Sequence, residues 1–301
     1  LMNVDFKRIG VWMDFENPYK SVENSYIEGC WWLVKKAHEN KRLYEAEKTM
    51  HWCGRCATSL SKHELEYKKV ADDSVFVKLE LEARIKEYLI VWTTTPWTLP
   101  FNLGVMVNPD LTYIKAKVDD EVWIVAKDLS ELVIKDICKK SFKVISEFTG
   151  DKLEGLKYFQ PFEDEISKIK EVKQKSEKAN TVVLSKEYVN IESGSGLVHM
   201  APGCGPEDYE VGHRNKILPV NTLKENGEFD EGNGIFTGQK ARKDDKKIIE
   251  ELENRSILVA DKKIYHDYPH CWRCKEPVIF RTTKQWFFKI EDLKDKMRSS
   301  N

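Results

Sequence analysis

The chain has 301 residues, 41% hydrophobic and 33% charged, with a formal net charge of −1. That suits a globular protein with one large core or two modest ones, and it excludes a disordered or collagen-like chain. Near-neutral charge also excludes a polycation that binds nucleic acid by bulk electrostatics, leaving local patches such as residues 35–42 and 240–247.

In chain order, residues 9–15 are a short apolar segment ending in the Asn17-Pro18-Tyr19 turn. A helix is expected next, with Ser25 and Glu28 at capping-box spacing and Ile27, Cys30, Trp31, Val34 and Ala37 recurring on one face as core packing. Extended segments are expected at 44–52, 74–81 and 88–92, then at 105–107, 113–118 and 122–126 with Asn-Pro-Asp and Asp-Asp turns between them. Residues 128–139 have helical spacing and 142–148 read as extended. The Lys- and Glu-rich stretch 164–180 reads as an exposed insertion or mobile loop. Order resumes at 181–184, a helix is expected at 243–253, and β-type runs at 257–265 and 278–290. No apolar run is long enough to cross a bilayer and the N-terminus lacks a signal-peptide pattern, so an intracellular, cytoplasmic protein without a membrane partner is expected.

Two short stretches repeat a pattern. His51-Trp52-Cys53-Gly54-Arg55-Cys56 and His270-Cys271-Trp272-Arg273-Cys274 each place two thiols at Cys-x-x-Cys spacing, where a tight turn aims both sulfurs at one ion. The other three cysteines, Cys30, Cys138 and Cys204, are scattered, which speaks against a disulfide framework. One four-thiolate zinc bound by Cys53, Cys56, Cys271 and Cys274 is therefore expected. Four sulfurs leave no open coordination position, so its role is structural. The 214 residues between Cys56 and Cys271 would be looped out from this clip, the anatomy of an inserted domain.

Two further stretches carry chemistry. Val91-Trp92-Thr93-Thr94-Thr95-Pro96-Trp97-Thr98-Leu99-Pro100-Phe101-Asn102 begins as a strand and turns into a row of hydroxyls on a proline-stiffened turn. Gly194-Ser195-Gly196 supplies uncluttered backbone at a strand end, His199 follows, and Pro206 is placed to open a helix through Arg214. Asp208 would lie in that helix's first turn, where the dipole favours the carboxylate. Helix capping for Asp208, a satisfied core position for His199 and a small buried role for Cys204 are the plain alternatives.

The threonine-rich stretch, the Gly-Ser-Gly, His and Asp element and the paired knuckles together resemble the editing domain of isoleucyl-tRNA synthetases, from about Ile9 to Phe288. The valyl and leucyl enzymes carry arginine where this chain has Thr95, Ser195 stands where the isoleucyl family has threonine, and Gly54 stands where its first knuckle often has proline. The resemblance implies that Thr93, Thr94 and Thr95 bind the aminoacyl ester and position water, and that Asn102 is required for the pocket. It makes Trp97 the apolar wall, His199 the size limit and Asp208 the ligand of the α-amino group, with Gly194, Ser195 and Gly196 lining the substrate.

The expectation is an α+β fold with a β-barrel-like editing core at 74–262, inserted in a zinc-clipped stem made of 1–73 and 263–301. The implied activity is hydrolysis of valine mischarged onto tRNA(Ile), with valyl-adenylate as a second substrate left open. Its partners are the tRNA acceptor end and the remainder of the synthetase chain, because neither the His-Ile-Gly-His nor the Lys-Met-Ser-Lys-Ser type element of aminoacylation is present. The alternatives are a valyl or leucyl editing domain and a non-catalytic zinc module that docks tRNA.

Overall fold

The structure, a computed structural model, describes residues 2–300. It divides into two compact units: one takes the two ends of the chain, up to Glu47 and from Lys284 onward, and the other runs from Lys48 to Thr283.

The terminal unit contains helices α1 (Met2–Arg8) and α2 (Asn24–Glu39), the outer part of strand β1 (Leu43–Cys53) and a short C-terminal helix, Lys294–Ser299. The expected capping box does not form, since α2 opens at Asn24 after Glu23 with no side-chain cap hydrogen bond. Its apolar stripe is not a core either: Ala37 is buried, but Ile27, Cys30, Trp31 and Val34 are exposed. Three helices, two of them under eight residues, and two strand ends offer too little surface to cover such a face.

The larger unit begins in β1 and continues through β2 (Thr58–Leu60), β3 (Leu65–Glu80), β4 (Glu87–Thr93), β5 (Gly104–Val107), β6 (Thr112–Val118), β7 (Glu121–Ala126) and β8 (Lys143–Thr149). Helix α3 (Ser167–Lys175), β9 (Thr181–Leu184), β10 (Leu197–Met200), α4 (Pro206–Arg214), α5 (Asp245–Asn254), β11 (Leu258–Cys271) and β12 (Ile279–Phe288) complete it. The strands expected between residues 74 and 126 are all present, while 128–139 forms a 3-10 turn and then a π-helical stretch, Glu131–Ile137.

The stretch 164–180 is not an exposed mobile loop, since α3 fills its middle and packs on the core. Ile166, Ile169, Val172 and Ala179 are buried, and α3 turns its lysines and glutamates outward. The apolar residues recur every third position, a stripe narrow enough to be hidden in a charged background.

The fold is α+β. A nine-stranded mixed sheet has the order β8-β6-β7-β4-β10-β5-β9, with β3 on the other side of β4 and β11 beyond it. It curls without closing, so the expected barrel is an open one. A three-stranded sheet, β12-β1-β2, stands apart. Strands β3 and β11 pair from Val77↔Leu258 out to Leu65↔Cys271, a ribbon that leaves the core and ends at the second knuckle. Among the described residues no helix is long and apolar enough to cross a membrane.

One pairing places the site. β10 runs parallel to β4 with Val198 opposite Trp92 and antiparallel to β5 with His199 opposite Val105. Parallel strands leave the sheet at the same end, so the threonines after Trp92 and the loop after Met200 emerge side by side.

Packing of α3 is testable. Ile169→Ala should lower unfolding free energy by about 2–5 kcal/mol, as expected for emptying a core site, while Lys168→Ala stays within about 0.5 kcal/mol. Urea denaturation that finds both substitutions neutral would return this stretch to the status of a loop.

Candidate active site

A cavity of about 340 Å³ opens where β4 and β10 end. Thr93, Thr94, Thr95, Gly194, Ser195, Gly196, His199 and Asp208 line it, so residues from positions 93 to 208 meet in one place. Trp97 and Asn102 do not line it: both are buried behind the threonine turn, in or just after the 3-10 helix Pro96–Phe101. Thr98 and Cys204 line the cavity too, where neither was expected. Thr98 stands inside the threonine motif, whereas Tyr158, which anchors Asn102 from a distant loop, belongs to no sequence pattern.

The two glycines are needed for packing as much as for access. Gly194 and Gly196 have φ of +79° and +77°, and a Cβ there would lie 2.7 Å from the Trp92 ring and 2.3 Å from the Ala126 Cβ. Ser195, between them, bridges Leu197 from both backbone groups.

His199 is buried and bonded at both ring nitrogens. The Asn102 amide nitrogen lies 2.8 Å from Nδ1 and donates its other proton to the Gly104 carbonyl at 2.9 Å, while the Thr98 hydroxyl is 3.0 Å from Nε2. Asn102 is itself oriented by Tyr158, whose hydroxyl donates to Oδ1 at 2.6 Å. Burial pushes the imidazole down to about 3, so it is neutral at physiological pH.

Asp208 stands in the first turn of α4, and its Oδ2 accepts the Ala201 N–H at 2.9 Å. The helix dipole was expected to favour its charge. Desolvation overrides it, raising the carboxyl to about 7 against the opposing hydrogen bond from Ala201. No cap bond forms, so its polar contact ties the β10 loop to the helix start.

Away from the cavity, Cys53, Cys56, Cys271 and Cys274 bring their sulfurs within 4.8 Å of one another, and none is in a disulfide. A tetrahedral ion with metal–sulfur bonds of about 2.3 Å needs sulfurs roughly 3.8 Å apart, so the donor set fits a metal ion.

A mixed curled sheet, a threonine-lined cavity at the ends of two parallel strands and a four-thiol cluster are the distinguishing features of the chain. The sequence profile of the class I tRNA synthetases (I, L, M and V) matches residues 1–301, and the chain belongs to that family. It is 45% identical over 307 residues to the isoleucine–tRNA ligase of Pyrococcus abyssi and 44% identical over 307 residues to that of Methanocaldococcus jannaschii. These alignments cover 100% and 98% of this chain but 28% and 29% of those proteins, so the chain spans little more than a quarter of their length. Among solved structures it is similar to the P. knowlesi cytosolic leucyl-tRNA synthetase editing domain, at 11% identity and a TM-score of 0.44 over 66% of this chain and 98% of that one.

The Asp208 shift has a measurable sign. Between about pH 4 and pH 7 the folded chain keeps a proton that the unfolded chain has released, so this group's contribution to stability falls as pH rises through that window. His199 acts oppositely between about pH 6.5 and 3, where the unfolded chain takes up the extra proton. Asp208→Asn preserves the acceptor for Ala201 and removes the titration. Its melting temperature relative to the parent should rise from pH 4 to pH 8, and a gap that does not vary with pH would show that Asp208 ionises normally.

Proposed function

We propose that this chain is the editing part of an isoleucyl-tRNA synthetase and hydrolyses valine mistakenly esterified to tRNA(Ile). The observation that carries this reading is the single cavity shared by the threonine row, His199 and Asp208. The editing core is taken as 74–262, with 1–73 and 263–301 as its stem. The acceptor end of the tRNA and the rest of the synthetase are the partners.

A synthetic pocket rejects a side chain one methylene smaller by only about 1–3 kcal/mol, the limit for which isoleucyl-tRNA synthetase is the standard illustration, and a second, smaller pocket removes the remaining errors. The scissile bond is an activated ester, so a positioned water suffices and no protein nucleophile is needed. Asp208 suits the α-ammonium of the amino acid. Burial, chiefly, holds its carboxyl at about 7, and a cation beside it supplies the counter-charge that favours the ionised form. His199 suits the size limit, since a neutral ring fixed at both nitrogens cannot swing aside for an extra methylene. Thr95, at the position of the valyl and leucyl arginine, supports the isoleucyl assignment.

Zinc is the proposed ion of the four-thiol cluster. When bound it would act structurally, joining the end of β1 to the end of the β3–β11 ribbon.

Deacylation assays with valyl- and isoleucyl-tRNA(Ile) test the activity and its selectivity together. The chain should hydrolyse the first and spare the second, and His199→Ala should gain hydrolysis of isoleucyl-tRNA. An unchanged ratio of the two rates would remove His199 from the sieve. Elemental analysis should find one zinc per chain, lost in both Cys53→Ser and Cys271→Ser. Full retention in either variant would sink the shared site.

A further inference from the structure

Hydrogen-bond directions around the threonine row are fixed by counting protons. Asn102 can only donate from its amide nitrogen, so the His199 Nδ1 at 2.8 Å must accept, and the ring proton sits on Nε2. That Nε2–H then donates to the Thr98 Oγ1 at 3.0 Å. Thr98 has one proton of its own, and it goes to the Thr95 carbonyl at 2.8 Å, which can only accept. The Thr95 hydroxyl, 3.3 Å from Thr98, must therefore be the donor in that pair. By the same count Thr93 donates to Thr95 across 3.2 Å, while accepting the Thr95 N–H. Every hydroxyl proton of Thr93, Thr95 and Thr98 points back into the protein.

We infer that Tyr158 is a positioning residue that, through Asn102, His199 and Thr98, sets the direction of this chain so that Thr93 and Thr95 meet the ligand as acceptors only. The inference rests on the hydrolase reading for its functional consequence, but the hydrogen-bond direction stands on its own. The Gly104 carbonyl can only accept, so it opposes the flipped amide, and the flip would also leave the buried Tyr158 hydroxyl proton without its acceptor, Asn102 Oδ1. With the amide so held, the His199 tautomer follows, and with it each rotor down the row.

The chemistry that such a row accepts is specific. Thr93 and Thr95 each keep a lone pair for an O–H or N–H donor, such as the attacking water or a ribose hydroxyl, and offer nothing to a developing oxyanion. Among the described residues the Thr94 hydroxyl has no internal partner, so it keeps its proton and is the one threonine able to donate to the carbonyl oxygen. In the hydrolysis this serves, the water oxygen bonds to the carbonyl carbon and the ester C–O bond breaks. One of the water's protons ends on the departing ribose oxygen, the other leaves with the new carboxyl group and is released to solvent as the carboxylate forms, and the threonines orient without exchanging protons.

The test uses the whole chain labelled with ¹⁵N in its histidine rings. Long-range ring correlations should show His199 protonated at Nε2 and bare at Nδ1 from pH 5 to 8, and Tyr158→Phe should introduce the other tautomer. In valyl-tRNA deacylation Thr98→Val should lower kcat by about 10-fold or more with KM little changed, while Thr98→Ser, which keeps the hydroxyl, stays near the parent. A proton on Nδ1 in the parent chain overturns the direction of the network, and a Tyr158→Phe variant that keeps the parental tautomer alone overturns the positioning role of Tyr158. A Thr98→Val variant with parental kcat, or equal losses in the Val and Ser variants, overturns its role in the reaction. If the parent does not deacylate valyl-tRNA but His199 is an Nε2–H ring, the hydrolase reading falls and the network stands.

Discussion

The site depends on one short parallel contact, β10 against β4 at Val198 and Trp92. Parallel pairing cannot be made by a tight turn; here it joins strands that are more than 90 residues apart, so the intervening chain must complete β5 to β9 and α3 before the contact closes. What that long connection secures is directional. Both strands present their C-terminal ends to the same cavity, which a hairpin would not do. The positive-φ glycines before β10 belong to the same device, since they let the chain turn into the sheet flush against Trp92 and Ala126.

Behind the cavity, polar groups are buried where an apolar core would be simpler. Asn102, His199 and Thr98 are all at most 4% exposed, and each has partners for its polar atoms within the protein. An unsatisfied member would cost about 1–3 kcal/mol, so the network is either complete or destabilising. Completeness also imposes rigidity: the imidazole cannot rotate without breaking a bond at each nitrogen. Asp208 differs in kind. One backbone N–H does not offset its desolvation, which leaves a carboxyl whose charge depends on what stands next to it.

Elements built from strong local patterns were legible in the sequence, and those that depend on tertiary context were not. The helix opened by Pro206 runs to Arg214 as its start signal indicated, and the strands from 88 to 126 match their apolar runs. The stretch 164–180 failed because three apolar residues at every third position are outweighed in composition by lysine and glutamate, although they carry its helix onto the core. The α2 stripe failed in the opposite sense. Periodicity reports an amphipathic face, and it cannot say that the unit around it is too small to bury that face. In the cavity, the motif residues were found because hydroxyl, imidazole and carboxyl chemistry is visible in residue type. Tyr158 was invisible because its importance lies in whom it touches.

The thiol cluster shows how far spacing can carry an inference. Two Cys-x-x-Cys turns separated by 214 residues specify two half-sites and do not specify their meeting. The meeting is made by strands: Cys53 ends β1, Cys271 ends β11, and the antiparallel β3–β11 ribbon runs from the sheet to that point with Leu65 opposite Cys271. Closing a loop of this length costs little more than closing one of half the length, about 0.6 kcal/mol per doubling. The size of the inserted core is therefore nearly immaterial to the clip, and the geometry that matters is local. The β1–β2 hairpin fixes the first pair of sulfurs, and the Cys271 and Lys275 amides bonded to Glu276 and Cys271 fix the turn that carries the second. Two such preformed turns ask of an ion only that it join them, while the threonines and His199 of the cavity are carried by a different pair of strands, β4 and β10, whose following loop is tied to β1 by the Thr49 hydroxyl on the Pro202 carbonyl.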